Sequence, residues 1–77
     1  MKNPVFISNK NDQIIYVYRI YDNSMLKLAK LDCYSTTILN IPKNSLISIK
    51  KCHHVGGYLI PRETLYESEL NINHLEL

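Results

Sequence analysis

The segment Gln13–Tyr21 constrains most strongly how this chain can fold. It reads QIIYVYRIY, and β-branched or aromatic residues at nearly every position favour a strand over a helix. In a strand, successive side chains point to opposite faces. One face then carries Ile14, Tyr16, Tyr18 and Ile20, and the other carries Ile15, Val17, Arg19 and Tyr21. Because both faces are largely apolar, we expect a central strand, or one that a barrel or a partner covers on both sides.

Turn-forming residues on either side of this segment predict two hairpins. Asn9–Asp12 precede it, and Asp22–Ser24 separate it from the apolar run Met25–Leu31. That run contains strong helix formers, and as a strand it needs a slip in the alternation near Ala29. We favour a strand there because a three-residue connection suits a hairpin. A helix capped by Ser24 remains the alternative.

The remaining segments predict short strands joined by turns. Strand-forming residues occur in Pro4–Ser8, Cys33–Ile41, Ser48–Cys52 and Tyr58–Ile60. The only two glycines of the chain, Gly56 and Gly57, are adjacent and predict a tight turn with positive φ.

The C-terminal part predicts a short helix. Pro61–Leu70 begins with a proline, whose preset φ suits a first helical turn, and Glu63 lies where the helix dipole favours a carboxylate. The following segment, Asn71–Leu77, has no clear period. We expect either that Leu75 and Leu77 pack or that these residues form a loosely ordered tail.

A short pattern occurs twice in the middle of the chain, at an offset of 19 residues. Cys33 precedes Ile41–Leu46, and Cys52 precedes Ile60–Leu65, at the same spacing, and both segments begin with Ile-Pro and a basic residue. The repeat is explained equally well by chance and by two similar strand–turn units. The order of strand, proline turn and strand at Ile38–Lys50 is similar to the end of an SH3-like barrel. The resemblance implies a 3₁₀ turn between the last two strands.

Chain length bounds the architecture to one domain, residues 1–77. Together the segments predict a β-rich fold, all-β or α+β. We expect a small SH3-like or partly open barrel of about five antiparallel strands with a short C-terminal helix. A chain of this size buries about 60–65% of the surface that it exposes when unfolded, which leaves room for one modest core.

The distribution of charge is uneven although the net charge is only +2. Residues 1–62 hold nine Lys and Arg against three Asp, whereas residues 63–77 hold four Glu and no Lys or Arg. No apolar stretch reaches the length of a membrane span, and the N-terminal apolar run is too short for a signal peptide. We therefore expect a cytoplasmic protein without membrane contact, whose Cys33 and Cys52 are reduced.

No catalytic, metal-binding or cofactor-binding residues are predicted. Cys52 and His54 have a ligand-like spacing, but no second ligand pair accompanies them. Cys52 and His53 are adjacent, so on a strand they point to opposite faces and cannot form a thiol–base pair. We expect no enzyme activity, no cofactor and no small-molecule substrate.

Binding of a macromolecule is the function that the sequence favours. The expected contact residues are Tyr16, Tyr18, Arg19, Tyr21, Lys27 and Lys30. An apolar strand face rich in tyrosine suits a protein partner or a second copy, so we expect a small regulatory or inhibitory module that acts by protein–protein binding and can form a homodimer. The alternative is a nucleic-acid-binding module, in which tyrosine rings stack on bases and Lys and Arg neutralise phosphates.

Overall fold

The computed structural model describes residues 2–77, and β-strands are their only regular secondary structure. The strands are β1 (Lys2–Ser8), β2 (Ile15–Tyr21), β3 (Ser24–Leu31), β4 (Thr36–Pro42), β5 (Leu46–Val55), β6 (Tyr58–Glu69) and β7 (His74–Glu76). They form sheet A, with the order β4–β1–β7, and sheet B, with the order β3–β2–β5–β6. The predicted hairpin at Asn9–Asp12 is wrong, because β1 and β2 lie in different sheets and this segment crosses from one layer to the other. The β-rich class is confirmed. The SH3-like barrel of about five strands is not confirmed, because the described strands number seven and lie in two sheets.

The two sheets pack against each other around one apolar core. Its buried side chains are Val5, Ile7, Ile41 and Leu75 from sheet A, Ile15, Val17, Leu31, Ile47 and Ile49 from sheet B, and Leu70 after β6. We call the sheet faces that carry these residues the inner faces and the opposite ones the outer faces. Each fully buried Ile or Val contributes about 1.5–3 kcal/mol through removal of its apolar surface from water. Sheet A therefore covers only one of the two apolar faces of β2.

The β2–β3 hairpin confirms the strand prediction for Met25–Leu31. Its turn contains two residues, Asp22 and Asn23, because Ser24 already pairs with Tyr21. Asp22 has a φ of 47°, as hairpin turns of this length require. The predicted slip is a β-bulge one residue before Ala29. Val17 lies opposite Ala29 and Tyr18 opposite Lys27, so Leu28 is the extra residue.

The predicted C-terminal helix at Pro61–Leu70 is wrong. These residues belong to β6. That strand pairs with every residue of β5, from Leu46 to Val55. Two bulges, at Leu65 and Arg62, shift the pairing and keep the long strand in register with its partner.

The Gly56–Gly57 turn that starts this hairpin has φ values of 57° and 83°, as predicted. Because a tight turn holds β6 beside β5, cross-strand pairing outweighs the local helix signals of the segment that follows.

The repeated Ile-Pro pattern does not mark two similar units. Pro42 ends β4, and a turn follows in which the Ser45 hydroxyl donates to the Pro42 carbonyl at 2.6 Å. Pro61 instead lies inside β6 and opposite Cys52. Similar local sequence therefore ends one strand and continues another.

The C-terminal segment joins the edge of sheet A. β7 pairs in parallel with β1, with Ile7 opposite Leu75, so not all strand pairs are antiparallel as expected. The Leu77 amide donates to the Ser8 carbonyl at 3.0 Å, and the Lys10 amide donates to the Leu77 carbonyl at 2.6 Å. Of the two alternatives for Asn71–Leu77, the described arrangement is the one in which Leu75 packs in the core.

No helix in residues 2–77 is long and apolar enough to cross a membrane.

Candidate functional site

The outer face of sheet B brings together four of the six expected contact residues. Opposite residues of neighbouring strands point to the same face. Two rows therefore cross this face, Lys30–Tyr16–Lys50–Thr64 and Lys27–Tyr18–Ser48–Glu67. The Lys50 ammonium donates to the Thr64 hydroxyl at 2.8 Å, which links β5 to β6 across the first row. The result is a surface of lysine and tyrosine side chains on the side of sheet B that sheet A does not cover.

On this surface the Lys27 side chain covers the ring of Tyr16. Its ammonium lies 3.9 Å from the centre of the Tyr16 ring, and the rings of Tyr16 and Tyr18 meet edge to face with their centres 6.1 Å apart. Only 9% of Tyr16 is exposed. A cation over a ring face is worth about 0.5–1 kcal/mol at an exposed site. The lysine thus takes the position on Tyr16 that a stacked base would need.

Arg19 and Tyr21, the other two expected contact residues, lie on the opposite face of β2. The Arg19 guanidinium lies 4.3 Å from the centre of the Tyr21 ring and donates a hydrogen bond to its hydroxyl. Arg19 is on the same face as Ile15 and Val17 but is half-buried, at the end where the core stops. The structure therefore divides the expected set into a group of four and a separate pair.

The buried thiol of Cys52 and the half-buried side chain of Tyr18 lie on the outer face of sheet B. Burial raises the pKa of Cys52, and the charges of Lys27 and Lys30 offset part of that rise. Burial also raises the pKa of Tyr18, with smaller contributions from Cys52 and Tyr16. At neutral pH the Cys52 thiol is therefore protonated and is a poor nucleophile.

The outer face of sheet A carries a second surface, which the sequence did not single out. Phe6 on β1 lies between Ile38 on β4 and His74 on β7 in one cross-strand row. Phe6 is 45% exposed although it lies on the central strand of sheet A, and Ile38 beside it is 56% exposed in the middle of β4. The rings of Phe6 and His74 lie 6.3 Å apart and are tilted by 57°. No layer of the described chain covers this apolar pair.

Few charges surround that apolar pair. Among the described side chains of β1, β4 and β7, the ionisable ones are His74 and Glu76, which approach each other to 3.7 Å. The other polar groups are hydroxyls and amides, including the Ser8 and Thr36 hydroxyls, which bond to each other at 3.0 Å. The signal in the sequence is the run Val5–Ile7, in which apolar residues occupy both strand faces as they do in Gln13–Tyr21.

The tip of the β5–β6 hairpin extends beyond the rest of sheet B. β2 pairs with β5 only as far as Lys51, and Cys52 then donates its amide to the Ile14 carbonyl at 2.8 Å. From His53 onward the two strands pair with each other alone within the described chain. At the tip Tyr58 is 75% exposed.

The described residues include no group of three or more His, Cys, Asp or Glu that could hold a metal ion. Cys33 is exposed in the β3–β4 turn, whereas Cys52 is buried on β5, and neither forms a disulfide. Of the potential ligands, His74 lies on sheet A and is associated with Phe6 and Glu76.

Comparison with known proteins does not extend this description. No protein-family model, no curated protein and no solved structure matches the sequence.

Proposed function

We propose that this chain is a small, non-enzymatic regulatory or inhibitory module that acts by binding another protein. The observation that carries the proposal is the uncovered pair of Phe6, on the central strand β1, and Ile38, on β4, on the outer face of sheet A. Buried aromatic side chains, with charged groups excluded from the centre, are typical of the core of a protein–protein interface.

The chemistry of this face defines the partner. A surface that docks over Phe6 and Ile38 meets apolar carbon in the middle and hydroxyl, amide and imidazole groups around it. Lysine and arginine side chains, which predominate in the charge of residues 3–62, are absent from the described part of this face. The partner is therefore a protein with a largely apolar, weakly charged surface, and its affinity depends little on salt.

Site-specific photocrosslinking tests this proposal. A photoreactive phenylalanine analogue replaces Phe6 in one sample and Tyr58 in a control sample, and both are exposed to extract from the host cells. We expect position 6, and not position 58, to crosslink to a defined protein. That protein, once purified, should bind the wild type at least about fivefold more tightly than it binds Ile38→Ser, because truncation of a residue that matters to an interface costs more than about 1 kcal/mol.

Equal capture at positions 6 and 58, or equal affinity of the purified protein for wild type and Ile38→Ser, overturns the proposal. Circular dichroism establishes that Ile38→Ser is folded, which we expect because the side chain is half exposed.

Nucleic-acid binding through the expected contact residues on the outer face of sheet B is a second proposal. The specific observation in its favour is that Lys27, Lys30 and Lys50 project from two adjacent rows of one face. Fluorescence anisotropy with single-stranded and double-stranded oligonucleotides tests it. Binding through three lysines should weaken with salt with a slope of about −2 to −3 in log–log form. A signal independent of salt, or no binding at micromolar protein, contradicts it.

Substitutions of Tyr18 and of Arg19 test separately the two groups into which the structure divides the expected contact residues. Tyr18→Ala changes the outer face of sheet B, and Arg19→Ala changes the other side of β2. If the partner obtained by crosslinking at Phe6 binds both variants as it binds the wild type, sheet A alone forms the contact. Loss of binding with either variant would instead place the partner on the expected contact residues.

A further inference from the structure

Sheet B has two outer strands that carry opposite charge. The strand order β3–β2–β5–β6 leaves one side of β3 and one side of β6 without a strand partner within residues 2–77. The charged residues of β3 are Lys27 and Lys30, whereas β6 carries Glu63, Glu67 and Glu69 against a single Arg62. An unpaired strand edge presents free N–H and C=O groups that can bind another strand.

The charges lie where two opposite edges would bring them together. Lys27 and Glu67 belong to the same cross-strand row of the outer face, at its two ends. When a second copy is placed beside the first by translation across the strands, this row continues from one molecule into the next. Lys27 of the second copy then lies next to Glu67 of the first.

The strand directions permit this continuation. Each neighbouring pair in sheet B is antiparallel, so β3 and β6 are separated by three antiparallel steps and run in opposite directions. A translated β3 therefore lies antiparallel to β6, and the joined sheet is antiparallel throughout. The segments that would pair, Met25–Lys27 and Glu67–Glu69, lie outside the bulges at Leu28 and Leu65.

The same charges oppose the pairing of identical edges. Two β3 strands would bring Lys27 and Lys30 near another pair of lysines, and two β6 strands would bring glutamates together. Like charges on neighbouring strands destabilise pairing, whereas opposite charges contribute about 0.2–1 kcal/mol per pair. Met25 and Leu26, which are 46% and 51% exposed on the β3 edge, would be covered by the incoming β6.

We propose that β3 of one copy pairs with β6 of another, so that the chain self-associates head to tail through sheet B. Such a contact uses two different surfaces, so each bound copy offers a further free edge, and assembly continues beyond a dimer unless a ring closes. The partner is a second copy of this chain, and the contact is separate from the outer face of sheet A.

Sedimentation velocity over a concentration series tests the proposal. We expect the mean mass of the wild type to rise with concentration beyond that of a dimer at about 50 mM salt, and to fall at about 500 mM salt because exposed ion pairs are screened. Lys27→Glu alone and Glu67→Lys alone should each weaken association by about tenfold, because each change replaces an attractive pair with a repulsive one.

Mixing the variants distinguishes pairing between edges from a general effect of charge. In an equimolar mixture of Lys27→Glu and Glu67→Lys, every contact between unlike copies is again between opposite charges, so association should return. The double variant Lys27→Glu/Glu67→Lys should associate as the wild type does. Lys43→Glu and Asp12→Lys are matched controls on exposed loops and should leave association unchanged.

Three results would overturn the proposal. They are a wild type that stays monomeric at all concentrations at low salt, association that neither single variant weakens, and a mixture that does not associate again. Lys27 also packs on Tyr16, so Lys27→Glu could unfold the chain. In that case the Glu67→Lys variant and the salt dependence of its association decide, since Glu67 is exposed on the outer strand β6. Ile38→Ser should not affect this association, which separates it from binding at sheet A.

Discussion

Asn9 connects three parts of the chain through one buried side chain. Its amide donates to the Gln13 carbonyl at 2.8 Å and to the Asp32 carbonyl at 3.0 Å. Its side-chain oxygen accepts from both nitrogens of Asn11, and the Asn11 side chain also donates to the Leu77 carbonyl. The residue is 1% exposed and its hydrogen bonds are made within the protein. It therefore fixes the connection between the two sheets at this end of the sandwich.

Substitution of Asn9 tests this connection. Asn9→Ala removes the donors of two carbonyls and should reduce the free energy of unfolding by about 2–3 kcal/mol. Asn9→Asp should cost at least about as much at neutral pH, since a carboxylate cannot donate and would bring a charge into the interior. Urea unfolding measures both. An Asn9→Asp variant as stable as the wild type would show that the donated bonds do not matter.

Ser48 is a buried hydroxyl without a hydrogen-bond partner. Ser48→Ala should leave stability unchanged or raise it by up to about 1 kcal/mol, because it removes a buried group whose bonding is unsatisfied. Ser45→Ala is the matched control. The Ser45 hydroxyl donates to Pro42, so its loss should lower stability by about 1 kcal/mol. Thermal or urea unfolding of the two variants should give effects of different size, and equal losses would contradict the assignment.

The two cysteines should differ in their reactivity towards thiol reagents and in their effect on stability at alkaline pH. At pH 8 a thiol reagent should label the exposed Cys33 quickly and Cys52 only on unfolding. Since burial raises the pKa of Cys52 in the folded state, the folded chain holds this proton more tightly than the unfolded chain. The protonated Cys52 thiol contributes fully to stability below the pKa of an unfolded thiol, about 8.5. This contribution is lost as the pH rises through the higher pKa of Cys52 in the folded state.

Unfolding midpoints at pH 7 and pH 10 measure this loss. Tyr18, whose pKa is also raised, adds to the decline in the same direction. Cys52→Ala should therefore show a smaller fall in stability between these pH values than the wild type, whatever its stability at pH 7. Cys33→Ala is the control, and we expect it to fall as the wild type does.

At the scale of elements, the β5–β6 hairpin depends on its two-residue turn. Gly57 has a φ of 83°, which a residue with a side chain adopts only with strain, although open space surrounds it. Gly57→Ala should therefore lower stability by about 1 kcal/mol through the backbone alone. Gly56→Asn should be close to neutral, because asparagine is favoured at the first position of such turns. The unfolding midpoints of Gly57→Ala and Gly56→Asn distinguish the need for a positive φ in the turn from steric crowding.

Local sequence predicted two of the turns in sheet B well, but it was wrong about β6 and about a hairpin at Asn9–Asp12, where the turn residues connect the two sheets instead. At Asp22–Ser24 and Gly56–Gly57 the turn residues and the flanking strand formers point to the same structure. In Pro61–Leu70 the helix signals are local, whereas the strand is stabilised by β5, which is joined to it only through the turn. The bulges at Leu65 and Arg62 cannot be seen in the sequence, because they depend on the register of the partner strand.

The candidate sites show the same limit. Alternation correctly placed Tyr16 and Tyr18 together and, on β2 alone, already separated them from Arg19. The association of Lys27 with Tyr16 depends on the Leu28 bulge, which restores the face of the lysines after one extra residue. Phe6 and Ile38 are 32 positions apart and meet only when β1 pairs with β4, so no local pattern links them.

At the scale of the whole molecule, the chain passes repeatedly between its two layers. β1, β4 and β7 form sheet A, and the hairpins β2–β3 and β5–β6 form sheet B. Each hairpin brings together residues that are close in sequence, whereas every pair within sheet A joins distant segments. The two layers therefore differ in how much chain must be ordered before they can form.

The parallel pairing of β1 with β7 has a consequence for the time course of folding. Ile7 and Leu75 come from opposite ends of the described chain, so their contact closes a loop that contains all the other described strands, β2 to β6. Local hairpins form in microseconds, whereas pairings between distant segments must first overcome the entropy of ordering the chain between them. During synthesis β7 leaves the ribosome after all the other described strands. Until then the growing chain can form both hairpins of sheet B, but their inner face remains without the last strand of its cover.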